Sequence, residues 1–301
     1  FDYKNIGSFV DFILINKSIY YILLLLFLPS INLFDGKFFR RLFYLLIICF
    51  FVKYVYLHAL GNSRPLLFTE NNFEVVFLIL IYYGNFILNG SKKNKFDITL
   101  LALIVFLSGS RSGFVCFIYL FSFLSFSKID KKTLFKVILL LCATLVAYYL
   151  FIERLNGKSI ESIDRVVFFN LWYYDWSQIS FINKIFGFLE SKPLSPYVCN
   201  SLIYYSALFS HENSSQCYSV ILHAYNLRVL YDFGIVGMLC IYGTIFFLIS
   251  HKLNRKSAVL IVGVLFLNGL SVSSLSSTII IFGIFLIYLS DYSIKQNKLL
   301  Y

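Results

Sequence analysis

Long apolar runs alternate with short polar breaks along almost the whole chain. Read for length, the runs predict membrane-crossing helices at roughly 18–34, 42–60, 73–90, 98–108, 112–127, 134–152, 233–250, 257–271 and 276–290. A bilayer core of about 30 Å takes ~20 apolar residues in helical form. The fourth and eighth runs are short, so they read as tilted, re-entrant or broken, forms tolerated at membrane depth only where protein or a cavity surrounds the backbone. Between the sixth and seventh runs lies 153–232, the one sizeable stretch outside the membrane. Its aromatics, as in "DRVVFFNLWYYDW", predict helices lying at the interface. The expected fold class is therefore all-α: a polytopic membrane protein of about nine transmembrane helices with one long loop. The expected divisions are N-terminal helices over 1–152, the loop over 153–232 and C-terminal helices over 233–301. Neither an internal repeat nor a low-complexity tract is visible beyond the apolar bias.

Composition agrees. Of 301 residues, 59% are hydrophobic and 20% aromatic, while 14% are charged, against ~25% in soluble domains. Mean hydropathy is +0.78. The net charge of +11 does not point to nucleic acid, because no binding motif accompanies it and the lysines sit in short breaks. These are "DGKFFRR" (35–41), "SKKNKFD" (91–97), "SKIDKKT" (127–133), "HKLNRKS" (251–257) and the tail "SIKQNK". Each follows an odd-numbered run, so all five share one side, which the basic bias makes the cytoplasm. The other side receives 61–72, the turn near 108–112, the 153–232 stretch and the turn at 272–275. The chain opens on Phe1 rather than Met, so it is expected to be a fragment with further spans upstream. There is no visible secretory signal with a cleavage site, and membrane insertion needs none.

Cys49, Cys116, Cys142 and Cys240 fall within apolar runs and read as small packing residues. Cys199 and Cys217 both fall in the outer stretch, where an oxidising compartment would allow a disulfide. The arginines divide unevenly. Arg40, Arg41 and Arg255 lie in the basic breaks; Arg64, Arg111, Arg154, Arg165 and Arg228 map to the outer side, against the bias the lysines obey. A charge near the membrane core costs on the order of 3 kcal/mol, and arginine forks onto phosphate or carboxylate as lysine does not. Five outward arginines therefore suggest an anionic, phosphorylated ligand.

Three stretches hold the polar residues that break the pattern. In "LSGSRSGF" (107–114), Arg111 is the sole charge from Ile98 to Ser127. Glycines 109 and 113 allow a broken helix, and serines 108, 110 and 112 with the amides of a following helix make an anion cradle; an interface-anchoring arginine at a tight turn is the plainer reading. In "GNSRPLLFTENNFE" (61–74), Arg64 and Glu70 either pair or lie solvated in a loop. Otherwise the loop dips inward, Asn71 and Asn72 offer amides to sugar hydroxyls, and Glu70 or Glu74 orients a basic partner. In "CYSVILHAYNLRVLYDFGIVG" (217–237), a helix from about Ser219 brings His223, Tyr225 and Asn226 within one turn and spaces Arg228 and Asp232 as an i,i+4 pair. His223 reads either as a hydrogen-bonded structural residue or as a proton-transfer group near neutral pH. His211 and Glu212 repeat that pattern more weakly, and His58 and His251 read as interfacial. The sequence holds no Walker loop, GxGxxG, GxSxG or HExxH, and no clustered metal-ligand set. No cofactor or metal is expected.

Together "RPLLFTENNFE" in an outer loop, "LSGSRSGF" at a junction, one long outer loop and "LHAYNLRVLYDFGIVG" before a late span give a layout that resembles the Wzy-type O-antigen or capsule repeat-unit polymerases, within the wider O-antigen polymerase and ligase group. The resemblance covers most of the chain as a layout, on short motifs of moderate specificity. Family members usually have more spans, in keeping with the fragment expectation. It implies a GT-C-like, metal-independent glycosyltransferase of the bacterial inner membrane, active on the periplasmic face. The implied substrate is undecaprenyl-diphosphate-linked oligosaccharide, with membrane lipid and a chain-length regulator protein as partners. Carried onto this chain, Arg111 and Arg228, with Arg64 or Arg165, would bind diphosphate. His223, or Glu70 in its place, would deprotonate the acceptor hydroxyl; Asn71, Asn72, Tyr225 and Asn226 would contact sugar. The rivals are an O-antigen ligase transferring glycan to lipid A core, and a flippase for the lipid-linked unit. The flippase predicts polar residues along a whole path rather than on the outer side.

Overall fold

The computed structural model describes residues 9–28, 31–62, 64–68, 70–89, 94–125, 164–188 and 191–292. The expected sixth span (134–152), the basic stretch 127–133, part of 91–97, the tail from 293, Cys142 and Arg154 lie outside the described residues. Those described are all helical, with no β-strand among them. In chain order the helices are α1 (Phe9–Phe27), α2 (Gly36–Ala59), α3 (Asn71–Leu88), α4 (Lys95–Ser108), α5 (Arg111–Ser125), α6 (Asp164–Gln178), α7 (Phe181–Phe186), α8 (Pro196–Ser201), α9 (Tyr225–Lys252), α10 (Arg255–Gly269) and α11 (Thr278–Tyr288). Short 3₁₀ turns occupy Ile203–Leu208, Ser219–Leu222 and Ser274–Ser276.

Four helices, α1, α2, α3 and α9, are long and apolar enough to cross a membrane. Their surfaces fit that reading. On α2, Leu45, Ile48, Val52, Val55 and Tyr56 are all exposed at spacings that make one apolar stripe. Such a stripe is a liability in water and unexceptional in lipid. Helix ends follow local chemistry: the Asp35 carboxylate accepts from Phe38 N at 2.8 Å to open α2, and Asn94 Oδ1 accepts from Phe96 N at 3.1 Å to open α4.

Two boundaries depart from expectation. The first helix is Phe9–Phe27, not 18–34. It ends before Leu28, the residue preceding Pro29, where the proline ring disfavours helical backbone. Its polar N-terminal half is accommodated because Asp11 accepts from Ser210 Oγ at 2.6 Å. Residues 33–34 instead pair in extended form with 289–291 (Leu33 N to Leu289 O, 2.8 Å). The helix expected from Ser219 is broken, with a 3₁₀ turn, a non-helical His223, and α9 beginning only at Tyr225. Within α9, Gly234 leaves helical geometry at φ 66°. There the chain passes against Gly187, and a Cβ on Gly234 would lie 2.4 Å from Gly187 N, so only glycine fits.

The chain forms two compact units. The bundle unit comprises 27–154, 247–268 and 277–301. In it α3 is buried nearly all round, packed by α2, α4, α5 and α11. Near one end of α3 a buried Asp97 accepts from Tyr44 Oη at 2.6 Å and Asn94 Nδ2 at 2.9 Å. The loop-bearing unit comprises 1–26, 155–246 and 269–276. The outer stretch has its own core, built from Phe168, Trp172, Val198, Leu202, Ile221 and Tyr231, among others. It is thus a folded element and not a tether. Cys199 and Cys217 are joined by a disulfide within that core.

Candidate functional site

In the loop-bearing unit, a turn at Ser271–Ser273 collects residues from two directions. Arg165 Nε on α6 donates to Ser271 O at 3.2 Å. Tyr225 N donates to Val272 O at 3.1 Å, and Ser273 Oγ donates to His223 O at 3.1 Å. These bonds hold His223 at φ 56°, a left-handed conformation that costs a β-carbon-bearing residue about 1–3 kcal/mol. The imidazole lies against the rings of Phe168 and Tyr205, with centroids at 5.5 and 6.0 Å. Burial, and then the neighbouring Asp164 carboxylate, push the Tyr205 phenol above its ordinary value, so it remains a neutral hydroxyl near neutral pH.

One turn into α9, Asn226 is buried and its Oδ1 accepts from Tyr242 Oη at 2.6 Å. Tyr225 is buried beside it. Arg228 is only 4% exposed. Its Nη2 donates to Leu14 O at a long 3.4 Å, and its buried Nε has no hydrogen-bond partner. Asp232, one turn further, is tied elsewhere, since its Oδ2 accepts from Ser219 Oγ at 2.5 Å. A buried donor left unmade costs about 1–3 kcal/mol, more on a charged group. Arg165, His223, Tyr225, Asn226 and Arg228 are thus gathered in one unit, with a guanidinium whose hydrogen-bonding capacity the protein does not fill.

The bundle unit explains the two outer motifs in a different way. Asn71 Nδ2 donates to Ser108 O at 2.9 Å. Ser110 Oγ donates to Asn72 Oδ1 at 2.8 Å, and Ser112 Oγ reaches the same atom at 3.3 Å. Asn72 Nδ2 in turn donates to Glu70 Oε1 at 2.9 Å. Ser110 Oγ also accepts from Gly113 N at 3.0 Å, capping α5. Gly109 closes α4 in the left-handed region at φ 61°, and Gly113 lies so close to α3 that a Cβ there would be 2.5 Å from Val75 Cγ1. The serine–glycine frame is therefore the junction that locks α4 and α5 onto the start of α3. Arg111 opens α5 and is half-buried.

Glu74 is fully buried. Its carboxylate accepts from Leu67 N at 2.7 Å and Phe68 N at 2.5 Å, and Tyr54 Oη stands at 3.5 Å. It clamps the preceding loop rather than orienting a basic partner. Lys53 Nζ, donating to Leu67 O at 2.7 Å, grips the same loop from the other side. Arg64 is exposed, with its backbone N bonded to Asn62 Oδ1 at 2.9 Å. His211 and Glu212 are exposed as well. The sequence reading missed Asn268, which is completely buried with both amide atoms unpartnered. Its only trace in the sequence is a single amide in the run "VLFLNGL".

These features define an all-helical protein with several helices fit to cross a membrane and two internal clusters of polar side chains. Protein-family models, curated proteins and solved structures contain no match to the chain.

Proposed function

We propose that this protein is a Wzy-type repeat-unit polymerase: a GT-C-like, metal-independent glycosyltransferase of about nine spans in the bacterial inner membrane. It transfers a growing glycan from undecaprenyl diphosphate onto a new lipid-linked repeat unit at the periplasmic face. The observation that carries the reading is Arg228, a charged, forked donor held inside an apolar helical unit with Nε unsatisfied. An arginine kept there at such cost is suited to a ligand that brings its own negative charge, and a diphosphate supplies oxygens for both Nε and Nη. The disulfide suits an oxidising outer compartment. The exposed Phe181, Ile182 and Phe186 of α7 suit a helix lying at the membrane interface.

In the proposed reaction the acceptor sugar hydroxyl attacks the anomeric carbon, and the bond from that carbon to the phosphate oxygen breaks. The diphosphate leaves with the bonding pair, and Arg228 with Arg165 stabilises the charge that develops on it. The His223 imidazole takes the hydroxyl proton; a carboxylate such as Glu70 is the alternative base. The test is complementation of a deletion strain with Arg228→Ala. At wild-type membrane levels it is expected to leave lipid A core capped with single repeats and no polymer ladder, while Arg228→Lys, which keeps the charge but not the fork, restores a weak ladder. A full ladder from Arg228→Ala overturns the assignment. Bare core in the deletion strain itself points to a ligase instead.

A further inference from the structure

The bundle unit contains a polar residue that no part of the mechanism uses. Along α10, Ser257, Ile261, Val264 and Asn268 recur at three- and four-residue spacing, and all are buried. They form the inward stripe of the helix. At one end the polar member is satisfied, since Tyr83 Oη donates to Ser257 Oγ at 2.9 Å. At the other end Asn268 has neither donor nor acceptor partnered.

Two registers locate it. Tyr83 of α3 meets Ser257, so in antiparallel packing eleven residues back along α3 and eleven forward along α10 reach Asn72 and Asn268. Independently, Cys116 Sγ of α5 donates to Val264 O at 3.5 Å and Tyr119 Oη to Val259 O at 3.1 Å. This is again an antiparallel run, and one turn further it sets Asn268 level with Ser112. Both registers end at the same cluster, where Asn72 Oδ1 is shared by Ser110 and Ser112.

We propose that Asn268, at the level of Asn72, Ser110 and Ser112, forms a subsite for a polyhydroxyl group, a sugar residue of the glycan. The chemistry of the orphan amide selects this class. An anion would satisfy only Nδ2 and a cation only Oδ1; a hydroxyl both donates and accepts, and a pair of adjacent hydroxyls meets both ends of one carboxamide. Asn72, Ser110 and Ser112 add further hydroxyl and amide positions at the same depth. The proposal rests on the glycosyltransferase reading for its choice of glycan.

The experiment uses the full chain in detergent with two probes, undecaprenyl diphosphate alone and the same lipid bearing its oligosaccharide. Thermal midpoints and binding are compared for wild type, Asn268→Leu and the smaller Asn268→Ala. Wild type is expected to bind the glycan-bearing lipid at least about tenfold tighter than the bare lipid. Asn268→Leu or Asn268→Ala removes that preference, leaves affinity for bare lipid unchanged, and does not lower the thermal midpoint of the ligand-free protein for Asn268→Leu. A preference retained in both variants overturns the subsite while leaving the glycosyltransferase reading intact. A lowered midpoint for Asn268→Leu, with Asn268→Ala also keeping the preference, identifies Asn268 as a structural or water-bonded amide and overturns it equally. No preference in wild type removes the glycan reading and the subsite together.

Discussion

Replacing Glu74 tests how the bundle unit holds its outer loop. The carboxylate is completely buried and accepts two short backbone bonds, from Leu67 N at 2.7 Å and Phe68 N at 2.5 Å. Tyr54 Oη, at 3.5 Å, adds little. Charge-assisted bonds of this kind contribute roughly 1.5–3 kcal/mol each. Leu67 and Phe68 are partly exposed, so water recovers part of the loss when the carboxylate is removed. Glu74→Ala is therefore expected to cost about 3 kcal/mol. At roughly 2–4 °C per kcal/mol, that is a drop of about 6–12 °C in the thermal midpoint of detergent-purified protein. Glu74→Gln is expected to cost nearly as much despite its matching shape. Its NH₂ has to face one of two backbone N–H groups, donor against donor. The loop should loosen before the bundle does, so a cysteine placed at the exposed Leu66 should react faster with a membrane-impermeant maleimide in both variants. Unchanged midpoints and unchanged labelling in Glu74→Ala would refute the reasoning, because they would mean that the two amides find equal partners without the carboxylate.

Two further outcomes follow from the packing. Gly113→Ala puts a Cβ 2.5 Å from Val75 Cγ1 and is expected to destabilise by about 1–3 kcal/mol; Val75→Ala in the same chain should restore most of it, read as coupling in a double-mutant thermal cycle. Cys199→Ser opens a crosslink spanning 18 residues and should lower stability by about 3 kcal/mol. Wild type treated with reductant should shift by the same amount, and a mass-tag assay should find the two wild-type thiols blocked before reduction.

Much of this protein is legible in its linear pattern because burial in lipid and helix formation depend on local composition. The apolar runs announced the helices; the polar break at 108–112 marked the α4–α5 junction, and two cysteines in the outer stretch marked a pair that is joined. Proline and glycine shifted the ends of those runs: the helix assigned to 18–34 stops at Phe27 ahead of Leu28–Pro29, and α9 bends at Gly234. The roles of single polar residues were a different matter. Asn72 meets serines 38 and 40 positions away, so the two outer motifs that looked like separate binding elements turn out to be halves of one junction. His223 leaves the helix because a turn fifty residues further on holds its carbonyl. Arg228 and Asn268 stand out only once every neighbour is in place, since an unpartnered atom is defined by what surrounds it. Hydropathy is summed along the chain and can be read there. Whether a buried hydrogen-bonding group finds its partner is decided by residues brought together from distant segments, and only the tertiary structure brings them together.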